Sequence, residues 1–283
     1  MVVIGQSRVQ AGFHWLVHYA ALAAYILFAL FPLYWLLKVS VTPNKLLYAE
    51  GVRLWPSVAT IANYVFVLTK SDFPRFFLNS VIVSASTAVV TTVFAALAGY
   101  AFSRFAFGGK TVIVALMLVT QMFPLVMLIA PIFRLLSPLG LTDSLVGLII
   151  VYSAFNTPFA TFLMQSFFDG IPKELEDAAM IDGDTRFGAF RHIILPLTLP
   201  GIAATLGFIF TAAWSELLFA LMLISDTKAT TFPVGLVSFV SKFSIDFGQM
   251  MAAGVLALIP ACVFFVFIQR YLVQGLTAGA LKG

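Results

Sequence analysis

The sequence predicts an all-α membrane protein of six transmembrane helices, with a polar loop between the fourth and the fifth. Three observations predict it. Of the 283 residues, 61% are hydrophobic and 10% charged, where soluble domains average about 45–50% apolar and about 25% charged; the mean hydropathy is +1.03. Measured against the roughly 20 apolar residues that cross a bilayer as a helix, the chain holds six such stretches. Half of its twelve acids, Asp169, Glu174, Glu176, Asp177, Asp182 and Asp184, lie in one short interval. Carboxylates are costly in lipid, so that interval lies outside the membrane.

The predicted spans cover 15–37, 78–102, 112–136, 145–168, 202–224 and 251–272 of a single transmembrane domain, 1–283. Arg8 ahead of the first span resembles a secretory leader, but the apolar run exceeds a leader core of about 7–15 residues and no small-residue cleavage site follows. The span is therefore read as retained. Between spans one and two, 38–75 is an irregular excursion containing Pro43, Trp55, Pro56 and Pro74; a second excursion covers 225–249. Six crossings place both termini and the polar loop, 169–196, on one side. Which side is left open, because the sixteen Lys and Arg divide equally between the two faces and the positive-inside rule does not decide.

Several chemistries are excluded. The basic residues are scattered singly, which removes nucleic acid as a partner. Cys262 is the sole cysteine and His14, His18 and His192 are dispersed, so neither disulfide nor metal site is expected. There is no GxxxxGK[ST] loop, nucleophile triad or pair of pocketed carboxylates, and hence no expected catalytic, cofactor or metal residue.

The polar loop reads as two short helices. Pro172 suits a first helical position, and Glu174 and Glu176 favour the positive N-terminal end. Ala178 and Ala179 keep one face thin, and Gly183 ends the helix. Asp184 or Thr185 caps a second helix with Phe187, Phe190 and Ile194 at helical spacing, stopped by Pro196 and Pro200.

The row Asp177-Ala178-Ala179, three residues, Gly183, nine residues, Ile193, one residue, Leu195-Pro196 resembles the EAA loop of bacterial ABC importer permeases, with Asp177 where the family usually has Glu. The resemblance implies a cytoplasmic coupling-helix loop, both termini cytoplasmic, and a place in the bacterial inner membrane. It assigns ATPase coupling to Glu174, Asp177, Ala178, Ala179, Gly183, Ile193, Leu195 and Pro196. The tail from Gln269 to Gly283 resembles that of the smaller permease subunit of maltose-type carbohydrate importers. So do spans two to six, including Asn79-Ser80 and the stretch from Met122 to Leu141. This implies that Gly275, Thr277, Gly279, Lys282 and Gly283, in the tail 273–283, reach the ATPases; a frayed terminus is the alternative. The implied partners are a second, related permease, two ATPase subunits that bind the ATP and Mg, and an extracytoplasmic solute-binding protein.

Polar residues inside spans mark either a solute path or interhelical hydrogen bonds. Glu216, the one acid within a predicted span, either lines the path, pairs with a neighbouring helix or snorkels to the interface; Asn156, Thr157, Gln165 and Gln121 carry the same choice. The connector from Thr230 to Gln249 resembles the loop that enters the binding protein in the maltose-type family, and Lys242 and Asp246 there meet either solute or solvent. A disaccharide, polyol, glycoside or glycerol phosphodiester all remain open as solute. A stand-alone secondary carrier is disfavoured by the lack of a convincing internal repeat. An amino-acid or metal importer permease would keep the EAA loop without this tail.

Overall fold

Within a bilayer every backbone N–H and C=O must be satisfied inside its own segment, so apolar runs of this length become helices. The computed structural model describes residues 8–49, 51–240 and 245–280, with side chains over 15–49, 51–240 and 245–269. Those residues form helices α1 (Arg8–Ser40), α2 (Asn44–Ala49), α3 (Ala62–Thr69), α4 (Phe73–Arg104), α5 (Lys110–Met122) and α6 (Leu125–Leu136). They continue with α7 (Leu145–Asp169), α8 (Glu174–Ile181), α9 (Arg186–Ala189), α10 (Leu195–Leu197) and α11 (Leu199–Trp214). The last three are α12 (Leu218–Leu223), α13 (Phe232–Val237) and α14 (Phe247–Ala280), and no strand is found among the described residues.

Among the described residues four helices are long and apolar enough to cross a membrane, over Trp15–Ser40, Phe73–Arg104, Leu145–Asp169 and Phe247–Gln269. Two bent pairs bring the number to six if each counts as one span. The stretch expected at 112–136 breaks between α5 and α6 with a bend of 105°. Pro124 lacks an N–H and pushes Phe123 to an extended φ −75, ψ 131, which ends α5. The stretch expected at 202–224 starts earlier, at Leu199, and opens after Trp214 before resuming as α12.

The chain divides into two compact units. In the first, 1–71 with Phe239–Leu256, Asn63 organises the turn after α1: its amide donates to the carbonyls of Ser40 at 2.8 Å and Thr42 at 3.0 Å. Ser40 and Tyr64 share a hydroxyl bond of 2.7 Å, and Tyr48 donates to the Ile245 carbonyl at 2.7 Å. The second, Asp72–Ser238 with Ala257–Gly283, is built on the packing of α4 against α7. The buried stripe of α4 is short-chained, with Ser80, Ser84, Thr87, Thr91, Ala95 and Gly99, and at Gly99 it closes against Thr161, Met164 and Gln165 of α7. Lipid supplies no hydrophobic drive between helices, so close backbone approach through small residues is what holds them. The opposite face of α4 presents Val89, Val93, Phe94 and Leu97, all exposed, as a lipid-facing surface requires. Helix α11 lies on both, with Gly201 beneath the Phe167 ring. Leu148, Val151, Tyr152, Ala213, Phe219 and Leu223 form a buried apolar cluster there.

Candidate functional site

The segment after α7 is shaped by local rules. Three acids, Glu174, Glu176 and Asp177, occupy the first turn of α8, where the helix dipole favours them. Gly183 sits at φ +94, in the left-handed region that glycine enters without steric cost. There the last carbonyls of α8 are closed by Gly183 N–H to Met180 at 3.2 Å and Asp184 N–H to Ala179 at 3.0 Å. Thr185 caps α9 by accepting from the Gly188 N–H at 3.0 Å, while an Asp184 oxygen accepts from the Thr185 N–H at 2.8 Å. The other Asp184 oxygen lies 3.4 Å from Nδ1 of His192. A Cβ on Gly188 would fall 1.8 Å from Asp184, so glycine there makes room for the carboxylate.

Pro196 does not stop this second helix as expected. A π turn over Phe190–Ile194 widens the hydrogen-bond register, with Leu195 N–H reaching back to Phe190, and Pro196 enters in the first turn of α10. The stop comes at Thr198, followed by a 70° bend into α11.

Glu176 joins this loop to α4. Its carboxylate accepts from Arg104 Nε and, at 2.8 Å, from the Tyr100 hydroxyl, while Arg104 Nη2 donates to the Ile171 carbonyl at 3.0 Å. Ser103 donates to Asp169 at 2.5 Å. The Arg104 and Glu176 side chains are only 5% and 12% exposed, which makes this a buried charge pair. The Tyr100 ring lies 4.5 Å from that of Phe190, tying the second helix to the same point.

The rest of α8 faces outward. Glu174, Asp177 and Ala178 are exposed, Ala179 is buried beneath them, and Ile193 and Leu195 are half-buried while Gly183 and Pro196 are open. Among the exposed acids stand large apolar side chains, Leu175 at 41%, Ile181 at 85% and Phe187 at 69%. A polar segment that leaves such groups uncovered has the character of a contact surface.

The polar residues of the predicted spans are placed separately. Glu216 lies in the opening between α11 and α12, not within a continuous helix. Its carboxylate accepts from the Phe219 N–H at 3.0 Å and the Ala220 N–H at 3.3 Å, serving two otherwise unpaired donors of α12. The Tyr152 hydroxyl of α7 donates to it at 2.6 Å. Asn156 folds back onto the Tyr152 carbonyl at 2.7 Å and Thr157 onto that of Ser153 at 2.7 Å. Gln121 donates to the Phe155 carbonyl at 3.1 Å and lines an apolar cavity of about 490 Å³ with Met117, Phe123, Phe155 and Pro158. In the other unit, Asp246 accepts from the Gln249 N–H at 3.0 Å at the start of α14. Lys242, Lys282 and Gly283 lie outside the described residues, and Gly275, Thr277 and Gly279 lie on α14 without described side chains.

Sequence reasoning missed Arg104, Tyr100 and the inward role of Glu176. Each signal was present singly, an arginine closing a span and an acid in the loop, but nothing local pairs residues 72 positions apart. Among the described residues no group of three or more His, Cys, Asp or Glu is placed to hold a metal.

The partners of Glu216 set an expected outcome. Glu216→Gln keeps an oxygen for the Tyr152 hydroxyl and should fold normally, whereas Glu216→Leu leaves donors unpaired at about 1–3 kcal/mol and should lower the melting temperature of the purified protein. Equal melting of the Leu variant and wild type would mean that these bonds contribute nothing.

The chain belongs to the family of binding-protein-dependent transport system inner membrane components, which matches residues 91–278. It is 36% identical over 258 residues to the trehalose transport system permease protein SugB of Mycobacterium tuberculosis, covering 90% of this chain and 93% of that one. It is 36% identical over 257 residues to the trehalose/maltose transport system permease protein MalG of Thermococcus litoralis, covering 90% and 92%. Its fold is similar to a chain in the crystal structure of a bacterial ABC transporter that imports the acidic polysaccharide alginate, with a TM-score of 0.79, 21% identity and coverage of 95% and 99%.

Proposed function

We propose that this chain is one of two permease subunits of an ABC importer for a sugar or sugar-like solute, an oligosaccharide, glycoside or polyol. In this reading the loop carrying α8 is cytoplasmic, and both termini share its side. The observation that carries it is the exposed face of α8, where Glu174, Asp177 and Asp182 surround uncovered Leu175 and Ile181. Apolar side chains gain from burial in a partner cleft, while the acids meet basic or amide groups there and set register and encounter rate. The partner is an ATPase subunit that supplies ATP and Mg, because the sequence has no nucleotide-binding loop of its own.

The assembly contains a second, related permease, two such ATPases and an extracytoplasmic solute-binding protein. The tail residues Gly275, Thr277, Gly279, Lys282 and Gly283 reach the ATPases. Closure of the ATPases moves α8, and the attached helices rock between inward-open and outward-open states. Gln121 and Asn156 border the path, and Lys242 and Asp246 belong to the connector that meets the binding protein. Kinship with permeases of trehalose and maltose systems supports the carbohydrate class.

Reconstitution tests this. The chain alone should neither hydrolyse ATP nor concentrate solute, and uptake should require the ATPase, the second permease and a loaded binding protein. Parallel uptake of disaccharide and glycerol phosphodiester assigns the class, with disaccharide expected. Concentrative uptake by the chain alone in ATP-free vesicles under an ion gradient would identify a secondary carrier instead.

A further inference from the structure

We propose that α4 is a transmission strut, which carries displacement of the coupling loop across the membrane to the root of the outer connector through polar clamps at both its ends. The inference rests on the coupling function proposed above. Helix α4 has 32 residues, about 48 Å at 1.5 Å per residue, which exceeds the roughly 30 Å hydrocarbon core. Its only proline, Pro74, is in the first turn, where no helical hydrogen bond is lost. By contrast α1, α7 and α14 contain Pro32, Pro158 and Pro260, the stretch expected at 112–136 is bent by 105°, and the one expected at 202–224 opens after Trp214. A proline removes a rung of the ladder and provides a bending point. Among the described residues, α4 is thus the long helix whose interior has no such point.

The inner end is held by Arg104 and Tyr100 on Glu176, and by Ser103 on Asp169. The opposite end is fastened to the chain after α12. Asn79 donates to two backbone carbonyls, Lys228 at 2.9 Å and Thr230 at 2.8 Å, and the Ser80 hydroxyl accepts from the Phe232 N–H at 2.8 Å. Asn79 and Ser80 are 7% and 2% exposed. One turn earlier the Phe76 ring fills the space a Cβ on Gly235 would need, 2.3 Å from its nearest atom. From the other side Asp143, at φ 53, accepts from the Ser225 N–H and, at 2.8 Å, from the Asp226 N–H, while its own N–H donates to the Leu223 carbonyl at 2.9 Å.

The segment 225–231 lies between α12 and α13, and its backbone polar groups are met partly within the segment, with the Ala229 N–H on the Asp226 carbonyl at 3.0 Å, and partly by side chains outside it, the Lys228 and Thr230 carbonyls by Asn79 and the Ser225 and Asp226 N–H groups by Asp143. A segment fastened to α4 at two of its carbonyls follows α4 when it moves, and it leads directly into the connector assigned to the binding protein. Asn79 and Ser80 are therefore positioning residues: they touch no solute, and they link the binding-protein side to the ATPase side through one rigid helix.

The test uses the complete complex in nanodiscs, with ATPase rate measured with and without solute-loaded binding protein. Asn79→Leu, similar in size but unable to donate, should keep the basal rate while the binding protein, still retained on the complex, no longer raises it. Ser80→Ala should weaken the stimulation in the same direction, and Ser80→Thr, which retains the accepting hydroxyl, should restore it. Wild-type stimulation in Asn79→Leu overturns the strut. Should Asn79→Leu fail to assemble, Ser80→Ala at normal complex yield decides, and unchanged stimulation there overturns it equally. A wild-type complex that the binding protein does not stimulate at all would instead overturn the importer function on which the strut depends.

Discussion

A complex carrying Arg104→Met is expected to hydrolyse ATP while importing little solute. The Arg104 side chain is 5% exposed, and its guanidinium lies against the carboxylate of Glu176, whose side chain is 12% exposed. Removing one member of a buried pair costs about 3–5 kcal/mol, because the other charge is left desolvated. Glu176 would keep the Tyr100 hydroxyl as its one remaining partner in this clamp, and turning to solvent would release the start of α8 from α4. Since each 1.4 kcal/mol is tenfold in an equilibrium, a loss of about 3–5 kcal/mol should lower the equilibrium constant for the docked arrangement by about 100-fold or more. Uptake per ATP hydrolysed should fall accordingly. Glu176→Gln should be milder, since its amide oxygen still accepts a hydrogen bond and the Arg104 cation, though left without its counter-charge, keeps the Ser103 hydroxyl and the Ile171 carbonyl as acceptors. Exchanging the pair, Arg104→Glu with Glu176→Arg, should recover part of the coupling; recovery is partial because Tyr100 would then face a guanidinium, which accepts no hydrogen bond. The outcome that would sink this account is a wild-type ratio of uptake to hydrolysis in Arg104→Met.

The helices and the polar loop were legible because both are written in local composition. Apolar length marks a membrane helix, and clustered acids mark its interruption. Gly183, Asp184 and Thr185 were legible too, since a left-handed turn and a capping hydroxyl are properties of single residues in sequence order. Proline was only half legible. Pro124 breaks its stretch, whereas Pro32, Pro158 and Pro260 are accommodated inside helices, because the outcome depends on what neighbouring elements offer the freed backbone groups. Pro196 was expected to end a helix and instead follows a π turn, which no local pattern announced.

Long-range polar pairs were not legible. Glu216 was conspicuous as an acid among apolar residues, yet its partner Tyr152 lies 64 positions away. Asn79 stood out as part of a motif, but the carbonyls it binds belong to residues 149 and 151 positions further on. Backbone carbonyls carry no sequence signature at all. The residues that join one element to another are in this fold those that periodicity and composition cannot pair.

Gly99→Val should remove most of the assembled complex and the transport of what remains. A Cβ at Gly99 would lie 2.8 Å from the Gln165 backbone nitrogen, 3.0 Å from Met164 Cβ and 3.1 Å from the Thr161 carbonyl oxygen. Two of these three atoms are backbone of α7, so no rotamer change relieves the contact and the helices must part. Overpacking of this kind costs about 1–3 kcal/mol in soluble cores, and here lipid gives no hydrophobic force to press the helices back together. The damage also spreads along α4, because Tyr100 follows Gly99 directly and Arg104 lies little more than a turn beyond, and parting from α7 draws both away from Glu176. Gly99→Ala already introduces the colliding carbon and should show the same defect to a smaller degree. Gly108→Ala is the control, since a Cβ there meets nothing within 4 Å. Complex yield, melting temperature and uptake at matched protein level are the measurements. Wild-type values for Gly99→Val would mean that α4 and α7 do not approach so closely in the membrane, and an α4 free of α7 at that point would have no fixed support from which to transmit a push.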